Sequence, residues 1–274
     1  MAIKTKTNQV NTWEEKLVKE AEISAGQESA ASGGQFFSLR AGMLKFDGAA
    51  MPGNQIACIV IDSILENVYY PGAFDPENPT PPKCFAFGRI DEHGDLPAME
   101  PHEIVVEKQS EQCSKCPWAQ WGTKVRADGS KSRGKACSET RRLAIIIAGN
   151  FVGGQFQPIA KADASDHFAN AKVGYMKLPV TSVKNYAGYV RSCKSAFARP
   201  PYAMYTRIWL TPNADNQFDV NFEALGKVPS ELQHVIEARH DQAMGEIAFP
   251  YQPAVEPEPV QKGKAALPPK RKKY

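Results

Sequence analysis

The 274-residue chain has no run of eighteen apolar residues, which excludes a hydrophobic helix long enough to span a membrane. Its opening residues, MAIKTKTNQVNTWEEK, lack the apolar stretch of a secretory signal, so the expectation is a protein that stays in the cytoplasm of its cell. The motifs of catalysis are missing as well. No G-x-S-x-G, H-E-x-x-H or G-x-x-x-x-G-K-[ST] occurs, and GNFVGGQ is glycine-rich without the spacing of a dinucleotide loop. Histidine is scarce, and its five positions are scattered; His234 and His240, six apart, point away from each other on a helix. Asp75/Glu77 and Asp91/Glu92/Asp95 fall among prolines and glycines and read as solvated turn carboxylates. Nothing assembles a nucleophile, a base and an orienting group, so the chain is expected not to be an enzyme.

Cysteine is also sparse, six in all, yet four are spaced like ligands of one metal ion. Cys113 and Cys116 form a C-x2-C pair in QCSKCPWAQWG, Cys137 follows in GKACSETRR, and Cys84 precedes in PPKCFAFG. Two thiolates in one turn can grip a tetrahedral zinc whose other ligands come from elsewhere in the chain. The intervening VRADGSKSRGK has almost nothing to bury, and metal is the usual staple for such a segment. His102 in MEPHEIVV rivals Cys84 for the fourth position. An iron–sulfur cluster would use the same thiolates. A redox C-x2-C would open a helix after a strand, whereas this pair sits among turn-formers. Cys58, inside IACIVI, and Cys193, on a helix stripe, read as buried small hydrophobes.

The net charge of +3 conceals blocks of opposite sign. Residues 62–112 carry eleven acids against Lys83, Arg89 and Lys108, whereas 113–142 carry eight cations against Asp128 and Glu139. From Lys172 to Ala214 there are seven cations and no acid. Such blocking predicts a positive groove with a negative back.

Residues 1–35 read as a peripheral arm and linker, with Thr12 and Glu15 boxing a short helix. Residues 252–274 mix Pro, Glu and Lys and predict a disordered, basic C-terminal tail. The folded body is therefore placed at 36–251, with a zinc module at about 84–142. FFSLRAGMLKFDG, NQIACIVIDSIL, ENVYY, RRLAIIIAG, VGYMKLP, YAMYTRIWLT and QFDVNF are strand candidates. TSVKNYAGYVRSCKSAF is an amphipathic helix capped by Ser182 or Thr181, and PSELQHVIEARHDQAMGEI is a second. Short strands outnumbering helices predict a mainly β, α+β fold, as a small barrel or a sandwich.

Aromatic rings interleave with cations, the combination that binds single strands: rings stack on bases while Lys and Arg follow phosphates. Phe36 and Phe37 stand near Arg40; Trp118 and Trp121 neighbour Lys124 and Arg126; Tyr175 lies between Lys172 and Lys177. In YAMYTRIWL, alternation puts Tyr205, Arg207 and Trp209 on one face, a candidate platform. Arg141 and Arg142 would extend a positive rim. The expected partner is single-stranded DNA, or RNA. The alternative is a zinc-stabilised interaction or regulatory factor that docks on a replication or transcription enzyme. The basic LPPKRKKY reads either as a nucleic-acid arm or as a targeting peptide.

The series FFSLRAGMLKFDG, PPKCFAFG, C-x2-CP…WGT…GKAC…RRLAIII, LPVTSVKNY and YTRIWLT resembles bacteriophage OB-fold single-stranded-DNA-binding proteins in layout, over roughly Phe36–Phe222. The T-even-phage type of helix-destabilising protein is similar in kind, with a zinc module inserted into an OB-fold; its ligands include a histidine. The resemblance implies an OB-like barrel that coats transient single strands during phage DNA replication, recombination or repair, alongside replication or recombination proteins, in the cytoplasm of a bacterial host.

Overall fold

Two long antiparallel strands, β4 (Gln55–Tyr69) and β6 (Cys137–Val152), form the spine of the structure. Their central residues are Ile, Val, Leu and Ala on both faces, because both faces are covered. The computed structural model describes residues 36–251 except 73–79, 92, 94 and 127, together with Lys16 and Leu17, which are helical. The rest of the expected arm and linker at 1–35, the basic segment 252–274, and Asp75, Glu77 and Glu92 lie outside the described residues.

Each edge of the spine carries two shorter partners. On one edge β9 (Met204–Asn213) pairs with the start of β4 and β5 (Cys84–Gly88) pairs with its end. On the other, β8 (Gly174–Leu178) and β7 (Gln155–Pro158) pair with successive stretches of β6. β10 (Gln217–Lys227) pairs with β9 and completes a seven-stranded sheet. Register shifts at Ala57/Cys58 and Val60/Asp62 bend β4, as bulges do. The result is a mostly antiparallel α+β architecture, and the described strands do not close into a barrel. The continuous β4 replaces two expected strands, and β5 and β7 are strands that periodicity did not flag. GNFVGGQ is the β6–β7 hairpin, and Gly153 and Gly154 supply its turn with φ of 59° and 81°.

Alternation along the spine divides the core. Ile56, Cys58, Val60, Leu143 and Ile145 face helix α2 (Val183–Ser192) and the small sheet of β1 (Phe37–Ser38), β2 (Lys45–Phe46) and β3 (Ala49–Ala50). Ile59, Ile61, Ala144 and Ile146 face α1 (Lys161–Asn170) and α3 (Gln233–Glu246). Each fully buried aliphatic side chain contributes about 1.5–3 kcal/mol, so these two layers hold the fold. The small sheet packs closely on β8 because Gly174 has no side chain: a Cβ there would meet the Phe37 and Phe46 rings at 2.4 and 2.6 Å.

Of the predicted α2 stripe, Tyr186 and Cys193 are buried, and Tyr189, outside that stripe, is buried beside them. Ser182 does not cap this helix; its hydroxyl accepts the backbone N–H of Val220 at 2.9 Å and ties the helix to β10. The helix continues through a π turn, Cys193–Phe197, and stops at Ala198 in the left-handed region, before Pro200. Helix α1 escaped the sequence reading because only Ala164 and Phe168, four apart, are buried in it.

Candidate nucleic-acid interface and thiol cluster

The end of the spine gathers the cysteines. In the sheet register, Tyr69 of β4 faces Cys84 on one side and Cys137 on the other. The Cys113–Cys116 turn closes over them, with the Cys116 N–H donating to the Cys113 carbonyl at 3.2 Å and the Cys113 N–H to Met99 O at 2.8 Å. Trp118 stacks on Tyr69 with ring centroids 5.0 Å apart, and its indole N–H donates to Gln109. Trp118 is thus the apolar anchor of a segment that has little else to bury.

All four thiols line one cavity of about 10 Å³, room for roughly one small sphere. Burial pushes the Cys84, Cys113 and Cys137 thiols up, Cys137 to about 12, and each also feels the charge of neighbouring thiols in the set. No group of three or more His, Cys, Asp or Glu among the described residues stands at the closer spacing of a formed metal site. The donor chemistry nevertheless fits a soft tetrahedral ion: four sulfurs share a void whose lining includes no carboxylate. His102 is not among the lining residues; its ring stacks on Phe85 at 5.1 Å, and its Nδ1 accepts the Ile104 N–H. Cys58 and Cys193 are fully buried in the first core layer, far in chemistry from a ligand set.

A second feature lies on one face of the same ribbon. A groove of about 1260 Å³ runs between the β1–β3 sheet and the ends of β4, β6 and β8. Phe36 and Tyr70 line it with rings 50% and 38% exposed, and Arg40, Lys45 and Lys177 line it with charge. Asp47 is the one carboxylate on this lining, and its Oδ2 lies 3.9 Å from Lys172 Nζ. Phe36 rests on buried Tyr175 and half-buried Phe249, at 6.1 and 5.5 Å between centroids.

No family model, curated protein or solved structure matches this chain. Function must therefore be read from where the side chains stand.

Three expected nucleic-acid contacts are corrected. Tyr175 and Tyr205 are buried: Tyr175 supports Phe36, and Tyr205 packs against Phe156 at 5.2 Å in the second core layer. Arg142 is buried in an ion pair with Glu66 rather than standing on a rim. β9 emerges from cover only beyond Tyr205, so Arg207 and Trp209 are half-exposed. Arg207 lies between Phe151 and Trp209, at 5.5 and 4.8 Å from their centroids, and is held by Gln55 and Glu223. That stack is real, but its cation is already matched by a carboxylate. Arg141 is half-buried, and loss of water pulls its pKa down. Arg40, Lys124, Arg126 and Lys172 are exposed, as expected, and so is Trp121, at 77%. Lys45 and Tyr70 were missed. Alternation could have found Lys45, which stands between the inward Leu44 and Phe46.

The histidines with described roles are structural. The His167 ring meets Ile147 O at 2.8 Å, and the His240 ring meets Ile61 O at 2.6 Å while stacking on Tyr202.

Proposed function

We propose that this chain binds single-stranded DNA without strong sequence preference, on an OB-like sheet, as a coating protein in phage DNA replication, recombination or repair. The observation that supports it best is the groove: two exposed rings beside three cations, with a single carboxylate that already has a lysine near it. Rings accept any base face, and cations accept any phosphate, so this lining favours a flexible strand over a particular sequence. Each stacked base is worth roughly 1–3 kcal/mol, and every phosphate contact adds a salt-dependent increment. The phage setting rests on the layout of the motifs.

Zinc is the proposed resident ion. Cys84, Cys113, Cys116 and Cys137 would hold it, and it would supply a cross-link between the loop segment and the ribbon rather than chemistry on a substrate. Fluorescence titration with oligo-dT across a salt series tests the reading. Binding at low salt that weakens steeply as salt rises is expected; no binding at low salt, or no dependence on salt, rejects it.

A further inference from the structure

The β4–β6 ribbon has two faces: one carries the groove's rings and cations, and the other a cleft lined by one ring, Trp121, and one cation, Lys135. Val68 of β4 and Tyr70 just past its end, with Ser138 and Thr140 of β6, line the groove described above. The alternate residues Leu65, Asn67 and Glu139 line a separate cleft of about 610 Å³, because successive side chains of a strand point to opposite faces. The pairing Val68↔Ser138 and Asn67↔Glu139 keeps the two sets apart across both strands.

Trp121 forms a wall of this second cleft with 77% of its surface exposed. It opens a finger, residues 121–135, closed by bridges Trp121↔Lys135 and Val125↔Lys131. Lys124, Arg126, Lys131 and Arg133 are exposed on that finger. Its one acid, Asp128, is occupied by the backbone N–H of Ser130 at 2.9 Å. The finger does not wave from a loose base: the Thr123 hydroxyl donates to Gln120 O at 2.6 Å and accepts the Ala136 N–H at 2.9 Å. The Lys135 ammonium stands 5.2 Å from the Trp121 centroid and is anchored by Glu139 at 2.7 Å.

We propose that this cleft and finger form a second site for single-stranded nucleic acid, so that one chain holds two strand segments on opposite faces of the ribbon. The proposal rests on the single-strand reading of the groove. The charge balance selects the occupant: Lys124, Arg126, Lys131, Arg133 and Lys135 outnumber Asp128 and Glu139, and together with an exposed indole they suit a polyanion with stackable bases.

Native mass spectrometry of the full chain with dT6 counts strands per chain. One chain with two dT6 is expected. The variant Trp121→Ala/Lys124→Ala/Arg126→Ala should weaken the second binding step by roughly ten- to hundredfold and leave a one-to-one complex. The groove variant Phe36→Ala/Tyr70→Ala should keep a one-to-one complex through the finger. All the finger residues changed are exposed, so thermal melting of the variant should match the parent. Saturation of the parent at one dT6 overturns the second site, as does a finger variant that still binds two. No binding by the parent at all overturns the single-strand reading itself.

Discussion

Arg142 donates from Nη2 to Glu66 Oε1 at 2.5 Å, and both side chains are sealed from water. The pair is the hub of a larger network. Arg142 Nη1 also donates to the carbonyls of Ile247 and Phe249, and the guanidinium lies 4.2 Å from the Phe249 ring centroid. The Tyr251 hydroxyl donates to Glu66 and accepts from Lys177, a residue that lines the groove. A buried pair gains little over an apolar one, but breaking it strands a charge. Arg142→Met should therefore destabilise by about 3–5 kcal/mol in urea unfolding. Arg142→Lys should fall short of full rescue, since an ammonium cannot reproduce the planar fork that serves a carboxylate and two carbonyls. Glu66→Gln combined with Arg142→Met should recover part of the loss. A single Arg142→Met variant as stable as the parent would contradict the network.

Arg142 also shows where the sequence was legible and where it was not. RRLAIIIAG announced a strand through its β-branched run, and the structure has one there. Nothing local, however, tells which of two adjacent arginines turns inward. That depends on Glu66, seventy-six residues away, and on carbonyls beyond residue 246. The cysteines were readable because C-x2-C spacing is a local constraint of one turn, and the structure draws all four to one cavity. Alternation put Tyr205 on the face of Arg207 and Trp209, which it is, but could not show that Phe156 and the second core layer cover that end of the strand. Tyr70 and Lys45 became visible as a pair only once the small sheet was placed across from the end of β4.

Metal content of the purified protein should separate ligands from core thiols. One zinc per chain is expected, lost in Cys113→Ser, Cys116→Ser, Cys137→Ser and Cys84→Ser. Cys58→Ser, Cys193→Ser and His102→Ala should retain it, since the first two thiols lie in the apolar core and the imidazole stacks on Phe85. Chelator treatment should expose Trp118, whose stacking on Tyr69 is next to the thiols, and shift its emission to the red. Full zinc content in Cys113→Ser and Cys116→Ser would remove the thiol cluster as the site.

Stability should fall in alkali through buried phenols. Burial pushes Tyr186 up to about 12, outweighing the Ser63 hydrogen bond and the Arg141 charge that favour ionisation. Tyr189 is raised too, mainly by burial, and its hydroxyl meets Thr206 Oγ1 at 2.5 Å. A raised folded pKa means the unfolded chain ionises first. The stabilisation is therefore complete below about pH 10 and is lost as pH climbs from there through about 12. For Tyr186 alone the two-unit gap amounts to roughly 2–3 kcal/mol. Melting temperatures from pH 8 to 11.5 should stay level and then drop, and Tyr186→Phe should flatten the drop. A melting temperature that keeps rising above pH 10 would contradict the assignment.

Rings and cations of the groove should fail in different ways, which makes the interface separable by salt. Removing an exposed ring, as in Phe36→Ala or Tyr70→Ala, should weaken oligo-dT binding by about 1–3 kcal/mol at every salt concentration, because stacking releases no counterions. Removing a cation, as in Lys45→Ala, should weaken binding most at low salt. It should also make the slope of log affinity against log salt shallower by about 0.7 for each phosphate no longer neutralised. Lys177 is a poorer probe: its ammonium bonds the Tyr251 hydroxyl and neighbours Glu66, so its removal disturbs the Arg142 hub as well as the groove. Tyr205→Phe is the negative control, since its ring packs inside the second core layer. If Tyr205→Phe weakened binding as much as Tyr70→Ala, the strand would not be running through this groove.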